Sequence, residues 1–369
     1  MMKKLVSVML VAAMSIGLVA CGTSGTVSAE ATAEPAAEAA AEEAPAEEAA
    51  EEPAAEAAPA EAAEPEVVLQ LAEIHTAGYP TAMADEEFAR LVGEKTNGRI
   101  KIEVYTDATL GEEADVIEQM QMGTLGFARV SLAPMANFEP SLNALMMPYL
   151  YNDSEHMWKV LNSDLGQEML GSITSAGLVG LCWYDGGSRC YYSNKKITKL
   201  EDMKGLTFRM QNNEMMFDLT KALGANAMNC GQGDVYQAVQ DGTIDGAENN
   251  IPTYESFSQD EVCPYFILDN HSMVPEILAG SETALAALSA EDQAIIKECA
   301  KETQDFEIKA WAEREVESKK LVEADSPDVE WVELDEGELD KFKEAVQPLY
   351  DKYGADYADI IAQIQEMGK

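Results

Sequence analysis

Positive charge is scarce in this chain. Lys and Arg together number 25 against 67 Asp and Glu, a formal net charge of -42 at pH 7. Nucleic-acid binding needs a cationic surface that displaces counterions, so nucleic acid is excluded as a partner. Histidine is rarer still, with 3 residues. The 6 cysteines have spacings that match no zinc pattern, and no metal or other cofactor is expected. Also missing are HExxH, GxSxG, a P-loop and a Rossmann GxGxxG. His156 and the cysteines form no nucleophile–base pair, which argues against an enzyme. Beyond Ala20 no apolar run is long enough to cross a bilayer.

What the N-terminal region does contain is a processing signal. Lys3 and Lys4 precede an apolar run from Leu5 to Ala20, and Leu18-Val19-Ala20-Cys21 followed by Gly22 resembles a bacterial lipobox. Residues 1–21 are therefore expected to be a lipoprotein leader with Cys21 as the lipidated residue. Glu30 to Glu66 is an Ala/Glu/Pro tract without Lys, Arg or aromatic residues. Pro35, Pro45, Pro53, Pro59 and Pro65 interrupt any helix, and like charges repel, so residues 22–66 read as a disordered tether. As a coil it reaches about 35–40 Å. The folded part is then expected outside the cytoplasmic membrane, tethered to it by lipid.

From Val67 onward, apolar runs and helical spacings alternate. Val67 to Ala72, Ile100 to Tyr105 and Gly126 to Ser131 read as strands. Pro80 to Thr96 reads as a helix ended by Asn97-Gly98. A second helix opens after Leu110-Gly111, with Val116, Ile117, Met120 and Met122 expected on its buried side. This is a βαβαβ unit with short connections. Val179 to Tyr184 and Arg189 to Ser193 are further strands. Between them, Cys182 and Cys190 flank Asp185-Gly186-Gly187-Ser188, a turn compatible with a hairpin disulfide or with buried free thiols. Ser289-Ala290-Glu291-Asp292 opens a helix that meets neither Gly nor Pro until about Ala324. Val329 to Leu334 is a late strand, and two terminal helices follow.

One stretch organises the rest. Lys204 to Asn250, KGLTFRMQNNEMMFDLTKALGANAMNCGQGDVYQAVQDGTIDGAENN, reads strand, helix, strand, helix, strand. Arg209 ends its first strand, Asp234 is positioned to cap the second helix, and Asn249 and Asn250 close the last strand. In open α/β sheets, ligands sit outside the carboxyl ends of the strands, where Arg209 and Asn249 fall. The order KGLxxR, KALGAN, DVYxAxQxGxIDG, ENN resembles the signature of the DctP-like substrate-binding proteins of TRAP transporters. TNGRIKIEV, LGEEADVIEQMQMG and APMANFEP also stand in that family's order, so the resemblance covers Val67 to the C-terminus.

The resemblance implies an α/β fold with two lobes, periplasmic-binding-protein-like, with a hinge and a long lobe-spanning helix. The expected lobes are residues 67–186 plus 275–314 and residues 187–274 plus 315–369. It also implies capture of a small organic acid and delivery to the TRAP small and large membrane subunits. Arg209 matches the arginine that binds the ligand carboxylate. Guanidinium suits this because its planar fork meets a carboxylate with parallel hydrogen bonds. Arg189 matches a second arginine near that carboxylate, and Asn249 matches an asparagine on the facing strand end. Asn250 is either a ligand contact or a helix cap before Ile251-Pro252. Arg129, in GFARVS, resembles members associated with uronic acids. Glu73 and Glu276 are candidate acceptors for ligand hydroxyls, His75 and His271 are further candidates, and Tyr236 or Trp183 are candidates to stack on a sugar ring. A uronate or related sugar acid is the leading ligand. A C4-dicarboxylate, or a sensor lipoprotein of the same fold, are the alternatives.

Overall fold

The computed structural model describes residues 64–369. The leader, Cys21 and the Ala/Glu/Pro segment as far as residue 63 lie outside the described residues.

Two sheets carry the fold. In chain order the strands are β1 (Val67–Ala72), β2 (Ile100–Tyr105), β3 (Phe127–Ser131), β4 (Leu178–Tyr184), β5 (Ser188–Ser193), β6 (Thr207–Met210), β7 (Asn226–Asn229), β8 (Gly246–Asn249), β9 (Tyr265–Ile267), β10 (Ser272–Met273), β11 (Glu276–Ser281) and β12 (Glu330–Val332). The first sheet has the order β2-β1-β3-β11-β4. Its first three strands are parallel, as the opening βαβαβ reading requires, and β11 is antiparallel to both β3 and β4. The second has the order β12-β9-β5-β8-β6-β7, with β10 also paired to β5. β6 lies parallel to both β7 and β8, so the Lys204–Asn250 stretch forms the expected parallel unit.

Apolar side chains fill each lobe. Phe88, Val92, Ile100, Phe127 and Leu278 are buried together against the first sheet. Tyr192, Val239, Ala247, Tyr254 and Phe266 do the same on the second. The chain passes from the first sheet to the second through Asp185-Gly186-Gly187, between β4 and β5, and returns between β10 and β11.

A third link is the helix Ala290–Asp325. Ser289 caps it, its hydroxyl accepting from the Asp292 N–H at 3.0 Å, and with 36 residues it is about 54 Å long. It packs on the helix Pro80–Lys95 and β4 at one end and on the helix Ile251–Ser256 at the other.

Two local expectations are corrected, and of the two readings of Cys182 and Cys190 the free thiols hold. Met122 is 66% exposed. The helix is Glu113–Gln121, and Met122 lies past its end, two residues and therefore half a turn beyond the buried Met120. Asp234 belongs to the 3-10 turn Gln232–Asp234, and its side chain makes no cap to the following helix. Cys182 and Cys190 are buried free thiols on different sheets, Cys190 donating to Asn270 Oδ1.

Candidate ligand-binding site

Alternation along β6 sends Phe208 and Met210 into the core and turns Arg209 to the other face, at the carboxyl end of the strand. Arg209 is only 7% exposed. Its Nε donates to the carbonyl of Cys230 at 3.0 Å and its Nη1 to Gln232 Oε1 at 2.8 Å. Among the described residues no carboxylate forms an ion pair with it. The same Gln232 oxygen accepts from Asn249 Nδ2 at 3.3 Å. One amide oxygen thus occupies the point where the donors of Arg209 and Asn249 converge.

A cavity of about 80 Å³ adjoins Arg209, lined from the first lobe by Glu112, Glu113 and Pro134 and from the second by Gln211 and Gly231. Two buried amide atoms beside it, Gln211 Oε1 and Gln232 Nε2, have no hydrogen-bond partner among the described residues. Small-molecule sites usually offer about 300–1,000 Å³, so a sugar ring enters only if the lobes part. Opening breaks direct bonds between the lobes. Gln211 Nε2 donates to Ser131 Oγ at 2.9 Å, Asn213 Nδ2 to the Ala133 carbonyl at 2.9 Å and Asn137 Nδ2 to the Asn212 carbonyl at 2.7 Å.

Arg189, on β5, is buried and internally paired. Its Nε and Nη2 donate to the two carboxylate oxygens of Glu248 at 2.6 and 2.9 Å, and its Nη1 donates to Asn249 Oδ1 at 2.9 Å. Burial pushes Glu248 up, but Arg189 and then His271 outweigh it and hold the carboxyl at about 2. His271 sits between Asp269 at 2.9 Å and Glu248 at 3.4 Å. Burial opposes its charge, yet these carboxylates, Asp269 first, lift it to about 9. It belongs to this network, and its backbone N–H donates to the Arg189 carbonyl at 3.1 Å. Asn249 spends its oxygen on Arg189 and on the Asn250 N–H, and its Nδ2 turns to Gln232.

Arg129, on β3, has the opposite surplus. Its Nε donates to Glu276 Oε2 at 2.6 Å, its Nη2 bonds the other Glu276 oxygen, and its Nη1 donates to Glu113 Oε1 at 2.7 Å. Glu73 lies 3.9 Å from the same guanidinium. Burial would raise Glu73, but Arg129 and then His75 hold it at about 2. The Glu73 oxygens accept from Thr81 Oγ1 at 2.6 Å and meet His75 Nδ1 at 2.8 Å. His75 in turn stacks on Tyr79 at 3.8 Å. Below this, Asp85 is pushed well up by burial and by the charge of Glu73.

The structure therefore links Arg209 to Asn249 through Gln232 and Asn249 to Arg189 directly, and gathers Arg129, Glu276, Glu73 and His75 in the first lobe. Asn250 takes the capping role, accepting from the Thr253 N–H at 2.8 Å while its Nδ2 donates to the Gly186 carbonyl at 2.8 Å. Two stacking candidates are corrected. Trp183 is fully buried and donates to the Gly166 carbonyl, and Tyr236 is turned by its helix toward Glu261, to which its hydroxyl donates at 3.0 Å. Sequence reasoning missed Gln232, Gln211, Glu113 and Glu248. Only Glu248 carried a signal, as the acid preceding Asn249 in GAENN.

The chain is similar to known proteins over most of its length. Residues 71–356 match the family model described as bacterial extracellular solute-binding protein, family 7 (DctP). A solute-binding protein of Chromohalobacter salexigens is 32% identical over 296 residues, covering 80% of this chain and 87% of that protein. A TRAP periplasmic solute-binding protein of Xanthobacter autotrophicus, solved with bound β-D-galacturonate, is 35% identical with a TM-score of 0.78, covering 81% of this chain and 99% of that one. One from Pseudomonas putida, solved with bound D-glucuronate, is 36% identical with a TM-score of 0.78 over 80% and 96% of the two chains.

Proposed function

We propose, from the premise that this chain belongs to the DctP family of bacterial extracellular solute-binding proteins, that it captures a hexuronate for a TRAP transporter. The observation that carries the reading is Arg209, a buried guanidinium without a carboxylate of its own. In the proposed complex a ligand carboxylate displaces Gln232 Oε1 and takes the donors of Arg209 and Asn249. A carboxylate accepts both with full charge where the amide accepts with partial charge, and closure excludes water, which strengthens the attraction. Ring hydroxyls are both donors and acceptors. They would donate to Glu113 and Gln211 Oε1 and accept from the Gln232 amide. Glu276 and Glu73, whose oxygens are already engaged, hold Arg129 in place.

Net charge does not oppose this assignment. At physiological salt, charges beyond about 8 Å are largely screened, so the nearby arginines govern the site. The mechanism is then opening at the two strand crossings, binding, closure and transfer of the closed form to the TRAP membrane subunits, the general role of the family. We place the protein outside the cytoplasmic membrane on a lipid attached to Cys21. Cys21→Ser is expected to move the protein from the membrane to the soluble fraction, and unchanged membrane association after carbonate washing would remove the lipid anchor from the reading.

The function is tested by thermal shift on the full-length chain with galacturonate, glucuronate, succinate and neutral sugars. A ligand at about 100 times its dissociation constant adds about 2.7 kcal/mol of stability. A clear rise with a hexuronate but not with succinate or galactose is the expected result. A response to succinate alone would keep the family and replace the ligand class, and a response only to neutral sugars would overturn the role given to Arg209.

A further inference from the structure

A second cavity, of about 330 Å³, lies at the hinge and not in the cleft between the lobes. Its walls come from the elements that join the lobes: Asp185, Gly187 and Ser188 on one strand crossing, Asn270, Ser272 and Met273 on the other, and Trp311 and Glu315 on the long helix. Asp153, Asp185 and Glu315 all line it, and no Lys or Arg does among the described residues. Lys343 Nζ lies over the Tyr149 ring, 5.7 Å from its centroid, but does not line the cavity.

Four buried polar atoms on this wall lack a hydrogen-bond partner among the described residues: the hydroxyls of Tyr149, Tyr151 and Ser272, and Trp311 Nε1. Ser272 and Trp311 are each 3% exposed. Native proteins rarely leave such atoms unpaired, because each one stripped of water without a partner costs about 1–3 kcal/mol. Trp311 and Glu315 are four residues apart on one helix, so the indole and the carboxylate share a face. Among the described residues the Glu315 side chain makes no hydrogen bond or ion pair, and burial, then the Asp185 charge, push its carboxyl up. The carboxylate of Asp185 is already satisfied by the Gly187 N–H at 2.8 Å and Trp158 Nε1 at 2.7 Å.

We infer that this hinge cavity is a binding site for a small organic ammonium that also carries a hydroxyl, an amino alcohol in chemical class. The ammonium pairs with Glu315 and lies against the aromatic rings, where a cation is favoured by the ring quadrupole. The hydroxyl accepts from Trp311 Nε1, which can only donate, and exchanges bonds with the tyrosine and serine hydroxyls. An anion such as a second uronate is excluded by the three carboxylates. Because both strand crossings line the cavity, its occupant touches the backbone that bends when the lobes part.

The test is calorimetric titration of the full-length chain, without uronate, using ethanolamine hydrochloride and choline chloride. Ethylene glycol serves as the neutral control and potassium chloride as the inorganic-cation control at equal ionic strength. Saturable one-to-one binding of an ammonium, with none for either control, is expected. Glu315→Gln removes an unpaired carboxylate, so the fold is retained, and it should weaken ammonium binding about tenfold or more, the worth of one charge-assisted hydrogen bond. Ser272→Ala provides a second, smaller loss. Absence of saturable ammonium binding, equal binding of ethylene glycol or potassium, or unchanged affinity in Glu315→Gln each overturns the proposal.

Discussion

Replacing Arg209 by alanine is expected to abolish hexuronate binding while leaving the melting temperature of the ligand-free protein almost unchanged. Truncating one partner of a buried charge pair costs about 2–5 kcal/mol of binding, or roughly 30- to 5,000-fold in dissociation constant. Stability should be spared because, among the described residues, no carboxylate is paired with this guanidinium. Its partners are the Cys230 carbonyl and the Gln232 amide, which stand beside the cavity and can turn to water. Calorimetric titration with glucuronate, paired with a thermal melt, separates the two readouts. A large drop in melting temperature would make Arg209 a structural residue, and retained binding would place the carboxylate elsewhere.

Arg129→Ala should do the reverse and cost the fold first. This guanidinium is 2% exposed and serves Glu276 and Glu113 directly, with Glu73 at 3.9 Å. Removing it leaves buried carboxylates uncompensated, a loss of about 3–5 kcal/mol. The orphaned acids would then titrate at higher pH in the folded variant than in the unfolded chain. Folding therefore takes up protons, and the variant gains stability as pH falls. Denaturant unfolding of the two proteins at pH 8 and pH 5 should show a smaller gap at pH 5. An equal gap at both pH values would mean that the acids find other partners, and no gap at all would make Arg129 a ligand group without a structural task.

These two arginines also mark the limit of what the sequence discloses. Both follow apolar residues near strand ends, and nothing local distinguishes them. Their partners decide, and these lie elsewhere in the chain: Glu276 is 147 residues from Arg129 and Gln232 is 23 residues from Arg209. The parallel unit around β6 was legible because its strands are short apolar runs separated by Gly-Ala-Asn and Asp-Gly-Thr turns, a local signal. The long helix was legible for the same reason, through its cap and its freedom from Gly and Pro. Tyr236 and Trp183 could not be assigned from the sequence, because a stacking role depends on which way a side chain faces. Gln232 was invisible, since an amide within Gly-Gln-Gly-Asp carries no mark of function until the donors on either side of it are seen.

The antiparallel strand β11 has a consequence for synthesis. It lies between β3 and β4, yet β4 ends at Tyr184 and β11 begins only at Glu276. A ribosome must therefore make most of the second lobe before the first can close its sheet. Until then β4 has no neighbour in that sheet, and its apolar residues wait on a strand some ninety positions downstream, the kind of long-range closure that slows folding. Truncation anywhere before Ser281 leaves both lobes incomplete, so neither can be inherited, exchanged or secreted as a contiguous piece.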